Sequence, residues 1–272
     1  HLYLSDSFKP GLLYELPYKA QNPTVVGLGL AAVRDAISFF RFFESDDKGI
    51  ANPLWGETDN ALVFGISQSG RVIQHMIYQA FNIDEARRMI FEGALVHVAG
   101  GGKGSFNHRF AQTTRHPSAH EDHQYPADCF PFATTMQVDP VTGEVGDVLA
   151  LAKKNGAVPK IFYTNTSTEY WGRSASLLHT DTQGTSDIDL DSRARHYVFA
   201  GAQHGVWAFM HRAFYENCVN PSDQRPLMRA LLGHLDRWSD GGVLPPQSAY
   251  PRIVADELGT VVSWRNKFPL VP

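Results

Sequence analysis

An α/β domain built on a mostly parallel sheet is predicted by three features of this sequence. An unbroken apolar run at residues 61–64 and apolar-rich segments at 90–98 and 160–165 read as strands of a buried sheet. Segments with apolar residues at helical spacing lie between and after these runs. One run enters a small-x-Ser-x-small turn, Gly65-Ile66-Ser67-Gln68-Ser69, that opens directly into the helical stripe Val72, Ile73, Met76, Ile77, Ala80 and Phe81.

Composition sets the limits. A chain of 272 residues with 43% apolar and 19% charged residues has a globular balance, with enough length for one large core or two modest ones. A net charge of −4 argues against a nucleic-acid partner, which needs a basic face. No apolar run approaches the ~18 residues of a membrane span. Cys129 and Cys218 are too few for a disulfide framework and allow one bridge or none.

Taken in order, residues 12–16 read as a strand bounded by Pro10-Gly11 and Pro17. Residues 24–32 then show a GxGxxA spacing after an apolar run. A dinucleotide site needs a second strand and an acidic residue about 20 positions on. Here Arg34, Ser38, Arg41 and Ser45 instead trace the outer face of one continuous helix running to the Glu44–Asp47 cluster, so no nucleotide cofactor is assigned. After the stripe at 72–81, residues 84–88 read as polar helix. Residues 90–98 read as a strand running into the glycine loop 100–104. That loop fails the P-loop pattern, because Lys103 is followed by glycine, and it reads as a mobile loop at a strand end.

From about 101 to 157 the chain loses periodicity and reads as a lid or cap insertion, too long to be a plain connection. His116, His120 and His123 within it raise the question of a metal. His120 and His123 are one residue too close for the HExxH zinc spacing, and Pro117 and Pro126 oppose a helix, so no metal is assigned. Strands follow at 160–165 and 196–200, then helices at 206–215 and 225–238, and a proline-bearing tail that wraps the surface. Asn165-Thr166-Ser167 fits a glycosylation acceptor but abuts the presumed site and is set aside.

A serine hydroxyl needs a base within hydrogen-bond reach, and that base needs a carboxylate to hold its tautomer. Ser67, Glu169 and His204 each follow a predicted strand and stand in the order serine, acid, histidine that one hydrolase arrangement uses. Ser67 is favoured over Ser69 because its neighbours two positions away, Gly65 and Ser69, are both small, whereas centring on Ser69 would crowd Arg71. Gln68 N–H, next after the nucleophile, is the expected oxyanion donor. The aspartates at 181, 187, 189 and 191 are expected to lie in solvent. Trp171, Tyr170 and the insertion aromatics Tyr125, Phe130 and Phe132 are candidates for an acyl or alcohol pocket, and equally for core.

Four segments carry a family resemblance: GISQSGR at 65–71, GSFNHRFAQ at 104–112, TNTSTEYWGR at 164–173 and AGAQHG at 200–205. Together they resemble the alpha/beta hydrolase domain-containing proteins, over about residues 10–238. The resemblance implies an α/β-hydrolase fold. It also implies ester hydrolysis with Ser67 as nucleophile, Glu169 as acid and His204 as base.

The expected activity is therefore that of a serine carboxylester hydrolase on a small-molecule ester, without cofactor. Lactone, amide or uronic-ester cleavage on the same three residues, or a non-catalytic hydrolase-fold binding module, are the alternatives. Residues 1–272 are expected to form one domain. The fold normally places about four strands before the nucleophile strand, where this chain has one candidate. The chain also opens at His1 without an initiating Met. The first strands and the second oxyanion donor are accordingly expected from a preceding segment or a partner chain that completes the sheet.

Overall fold

The structure, a computed structural model, describes residues 2–12, 14, 16, 18–104, 106, 128–205 and 218–267. In chain order the elements are α1 (Leu28–Phe42), β1 (Leu62–Ile66), α2 (Gln68–Tyr78), β2 (Gly93–His97), β3 (Gln137–Val138), β4 (Val145–Gly146), α3 (Ala150–Lys154), β5 (Lys160–Thr166), α4 (Ser167–Gly172), β6 (Ala194–Phe199), α5 (Arg225–Gly241) and α6 (Val261–Lys267). Four strands form one sheet in the order β1-β2-β5-β6, every pair parallel. Ile66 lies beside His97, and His97 beside Thr164, so neighbouring strands end level. Their following loops therefore emerge together at one edge, where parallel α/β sheets place their ligand crevice.

Strand alternation builds two apolar layers. Ala94 and Val96 of β2 and Ile161 and Tyr163 of β5 point to one face, where they meet Ile73, Met76 and Ile77 of α2 and Ala152 of α3. Leu95 and Phe162 point to the other face and pack with Leu231, Leu235 and Trp238 of α5. The Phe162 and Trp238 rings stack at 5.6 Å. Helices on both faces explain why β2 reads as an unbroken buried run.

The structure departs from the sequence reading at several elements. Leu12, Tyr14 and Leu16 belong to no strand and are exposed. A short, mostly apolar segment forms a strand only against a neighbour, and here Tyr14 instead meets Phe8 edge-on and accepts from Lys9 N–H. The helix over residues 28–42 forms, but its polar stripe faces inward. Ser38 is buried and donates to Asp84 at 2.8 Å, while Arg41 bonds Glu92 at 2.9 Å and the carbonyls of Met89 and Asp59. Residues 84–88 are a turn rather than a helix. Asp84 accepts from Arg88 N–H and Nε, and the turn is closed by the Ile83–Met89 bridge.

The glycine loop expected to be mobile is buried from Gly100 to Lys103, and Lys103 Nζ donates to the carbonyls of Cys129 and Pro131. Within the expected insertion, Val148, Leu149 and Ala152 belong to the main core, and β3 and β4 form a short antiparallel pair. Tyr125, the three insertion histidines and the helix expected at 206–215 lie outside the described residues. No disulfide joins Cys129 and Cys218. Among the described residues no helix is long and apolar enough to cross a membrane. The outer edge of β6 is covered by residues 246–250, where Val198 N–H donates to Ala249 O at 2.9 Å. At the opposite edge β1 has β2 on one side and, among the described residues, no strand on the other. Phe64 and Ile66 are each 51% exposed there.

Three buried imidazoles make the fold sensitive to acid. Burial pushes His97 and His179 down from 6.5 to about 4, and His196 well below 6.5. Below pH 6.5 the unfolded chain takes up protons that the folded chain refuses, so stability falls as pH drops from about 6.5 toward 4. Each differential proton contributes up to ~1.4 kcal/mol per pH unit. Urea unfolding at pH 7, 6 and 5 should show this steepening, above the range where carboxylates titrate. Equal stability at pH 7 and pH 5 would contradict it.

Candidate active site

The turn after β1 is held in a strained form. Ser67 has φ 57° and ψ −117°, outside the usual L-residue regions, and links the strand directly to α2. Its N–H donates to His97 O at 2.8 Å, which ties the turn to the end of β2. A Cβ at Gly65 would fall 2.6 Å from the backbone of Ser69 and from Ile73 Cδ1, so glycine is required there. Gly70 is also tight, with Gly65 O, Ala99 Cβ and His97 O at 3.1–3.2 Å from its would-be Cβ. Ser69 is exposed within α2 and has an ordinary helical role.

Glu169 is placed by a capping box at the start of α4. Thr166, the N-cap, donates to Glu169 Oε2 from both its N–H, at 2.8 Å, and its hydroxyl, at 2.6 Å. The Thr166 hydroxyl in turn accepts from Thr168 N–H at 3.3 Å. These bonds occupy one carboxylate oxygen and turn the other toward His204. Glu169 is fully buried. Burial alone would raise its carboxyl, but hydrogen bonds from His204 and Thr166 outweigh that and hold it below its ordinary value.

His204 comes from the loop after β6, which is tied down on three sides. Ser167 Oγ accepts from Gly201 N–H at 2.8 Å, Asn220 donates to Gly201 O at 2.7 Å, and Gln224 donates to Gln203 O at 2.8 Å. Its ring bridges the other two residues, with Nδ1 2.6 Å from Glu169 Oε1 and Nε2 2.9 Å from Ser67 Oγ. A carboxylate beside Nδ1 fixes the proton there and leaves Nε2 as the acceptor facing the serine. The arrangement can take a proton from the Ser67 hydroxyl and stabilise the resulting imidazolium. As the first residue of α2, Gln68 carries an N–H that no earlier helical carbonyl takes up.

The sequence reading brought together Ser67, Glu169 and His204 but missed the residues that hold them. Thr166 was detectable, because T-x-x-E at 166–169 is a capping-box pattern. Ser167, Asn220 and Gln224 carried no such signal. His97 lies just behind the site, with Nδ1 2.8 Å from Thr164 Oγ1, and also escaped notice. Asn165 is buried, accepting from Gly100 N–H at 3.0 Å and donating to His196 Nε2 at 3.1 Å. The acidic run at 181–191 is not simply in solvent. Asp187 binds the N–H groups of Ile253 and Val254, Asp181 caps the turn at Thr185, and Asp191 pairs with Lys153 at 3.2 Å.

The expected pocket aromatics fall elsewhere. Tyr170 turns its hydroxyl to His179 Nε2 at 2.7 Å, inside a stack with His196 and Tyr250. Trp171 is 58% exposed and meets Trp264 edge-on at 5.0 Å. Both line a cleft of about 920 Å³ between α4 and residues 249–267, whose lining includes none of Ser67, Glu169 and His204.

A family model described as an alpha/beta hydrolase domain matches residues 10–265. No curated protein and no solved structure matches the chain.

Proposed function

We propose that this chain, which belongs to the alpha/beta hydrolase domain family, is a serine carboxylester hydrolase that works through an acyl-enzyme. The observation that carries the reading is the continuous hydrogen-bonded run from Ser67 Oγ through His204 to the buried Glu169. Such a run converts a poor nucleophile into a competent one at neutral pH.

In the proposed reaction, Oγ of Ser67 attacks the ester carbonyl carbon as His204 Nε2 takes its proton. Glu169 remains ionised and stabilises the imidazolium through Nδ1–H. The carbonyl oxygen becomes an oxyanion that accepts from Gln68 N–H. Collapse of this intermediate breaks the bond to the alkoxy oxygen, which leaves with the proton held on Nε2. Water then gives a proton to His204 and attacks the acyl carbon, and the second collapse frees the carboxylic acid and returns the proton to Ser67.

The test is labelling with a fluorophosphonate, followed by turnover of a panel of p-nitrophenyl esters and lactones. A single adduct on Ser67, together with ester turnover, is the expected result. An unlabelled protein would instead fit a hydrolase-fold binding module, and an adduct on a different serine would move the site.

A further inference from the structure

Arg71 lies one helical turn beyond Ser67 on α2, its N–H donating to Ser67 O at 3.1 Å. Helical side chains lean toward the N-terminus, which carries the Arg71 side chain back over the Ser67 turn. Gln74, three residues further along the same face, donates to Gly101 O at 3.1 Å, so this face of α2 looks at the glycine loop after β2. Arg173 is backed against the same loop. Its carbonyl accepts from Gly101 N–H at 2.9 Å, and the Cβ that Gly100 lacks would fall 2.5 Å from Arg173 Cβ.

Among the described residues, two guanidiniums share one carboxylate here. Arg173 sits 3.7 Å from Asp128 Oδ2, and Asp128 is the carboxylate that both guanidiniums feel. Arg71 is partly buried, and among the described residues its guanidinium makes no hydrogen bond or ion pair. Burial, and then the like charge of Arg173, push its guanidinium below the ordinary value, with Asp128 opposing. A guanidinium keeps its proton in proteins, so a partly dehydrated positive charge remains one helical turn from Ser67. Its planar fork matches a carboxylate with two parallel hydrogen bonds.

We propose that Arg71 and Arg173 form an anion subsite beside Ser67 that takes a free carboxylate on the acyl chain of the substrate. The favoured substrates are then monoesters of dicarboxylic acids. The proposal rests on the ester-hydrolase reading for its substrate class, while the anion site itself rests on the two arginines.

The test compares the monophenyl ester of adipic acid with phenyl hexanoate, which has the same chain length and a methyl in place of the carboxylate. The wild-type protein should prefer the acid ester in kcat/KM, and added salt should lower that preference. Arg71→Met should lower kcat/KM for the acid ester by ~10–100-fold, the scale of losing a charge-assisted pair, and leave phenyl hexanoate nearly unchanged. Arg71→Lys should recover part of the loss, having the charge without the fork. Equal treatment of the two esters by the wild type, or an equal loss on both in Arg71→Met, would overturn the subsite. Calorimetry with adipate separates this from the hydrolase reading. Binding that weakens about tenfold or more in Arg71→Met, with neither ester cleaved, keeps the subsite and removes the hydrolase. Cleavage of phenyl hexanoate, with no Arg71-dependent adipate binding, keeps the hydrolase and removes the subsite.

Discussion

Replacing Ser67 by alanine is expected to lower ester turnover by ~10⁵–10⁶-fold, the scale seen when a serine nucleophile is removed, with no loss of fold. The backbone at Ser67 already has φ 57°, so alanine inherits the same strain and nothing in the core changes. What disappears is the hydroxyl that donates the 2.9 Å hydrogen bond to His204 Nε2. The residual rate would come from binding and from the Gln68 N–H alone. Ser69→Ala is the control. Its side chain is exposed, and surface changes of this kind typically stay within ~0.5 kcal/mol. Turnover of a p-nitrophenyl ester, with thermal unfolding run in parallel, decides the matter. An active Ser67→Ala enzyme beside a dead Ser69→Ala enzyme would move the nucleophile two residues along.

Much of this site was legible because its parts have local causes. The turn at Ser67 shows in sequence because a strained serine excludes bulk at fixed offsets, and Gly65 records that exclusion directly. Glu169 and His204 show because parallel strands release their loops at one edge, so residues just after strands converge however far apart they are in sequence. What stayed hidden depends on partners distant along the chain. The stripe Arg34, Ser38, Arg41 has the spacing of a solvated face, yet Asp84 and Glu92 wait opposite and turn it inward. Residues 84–88 have helix-forming composition, but Asp84 spends its carboxylate on Arg88 and Ser38 and closes a turn instead. Leu12, Tyr14 and Leu16 lie in a segment of strand composition but, among the described residues, find no strand to pair with. Tyr170 and Trp171 follow Glu169 in sequence, but α4 turns successive side chains to different sides, away from Ser67.

Glu169→Gln is expected to lower turnover by ~10⁴-fold while the protein stays folded, and the geometry around the carboxylate explains why. Thr166 presents two donors, its N–H and its hydroxyl, to the same oxygen, Oε2. A glutamine in this place must therefore keep its carbonyl oxygen toward Thr166 and turn its amide nitrogen toward His204. An amide nitrogen only donates, so His204 Nδ1, 2.6 Å from the present Oε1, would have to accept. The proton then moves to Nε2, the nitrogen facing Ser67 Oγ, and the base can no longer take the serine proton. The loss is one of tautomer rather than of packing, because a neutral amide of the same shape is tolerated at a buried site whose partners remain. Thr166→Val should act in the same direction but more weakly. It removes one donor and leaves the N–H, a change worth ~1 kcal/mol or somewhat more and so about tenfold in rate. Steady-state turnover and the rate of fluorophosphonate labelling should fall together in both variants, since each reports the nucleophilicity of Ser67. A Glu169→Gln enzyme within a few-fold of the wild type would mean that another group orients His204, and the assignment of Glu169 would fall with it.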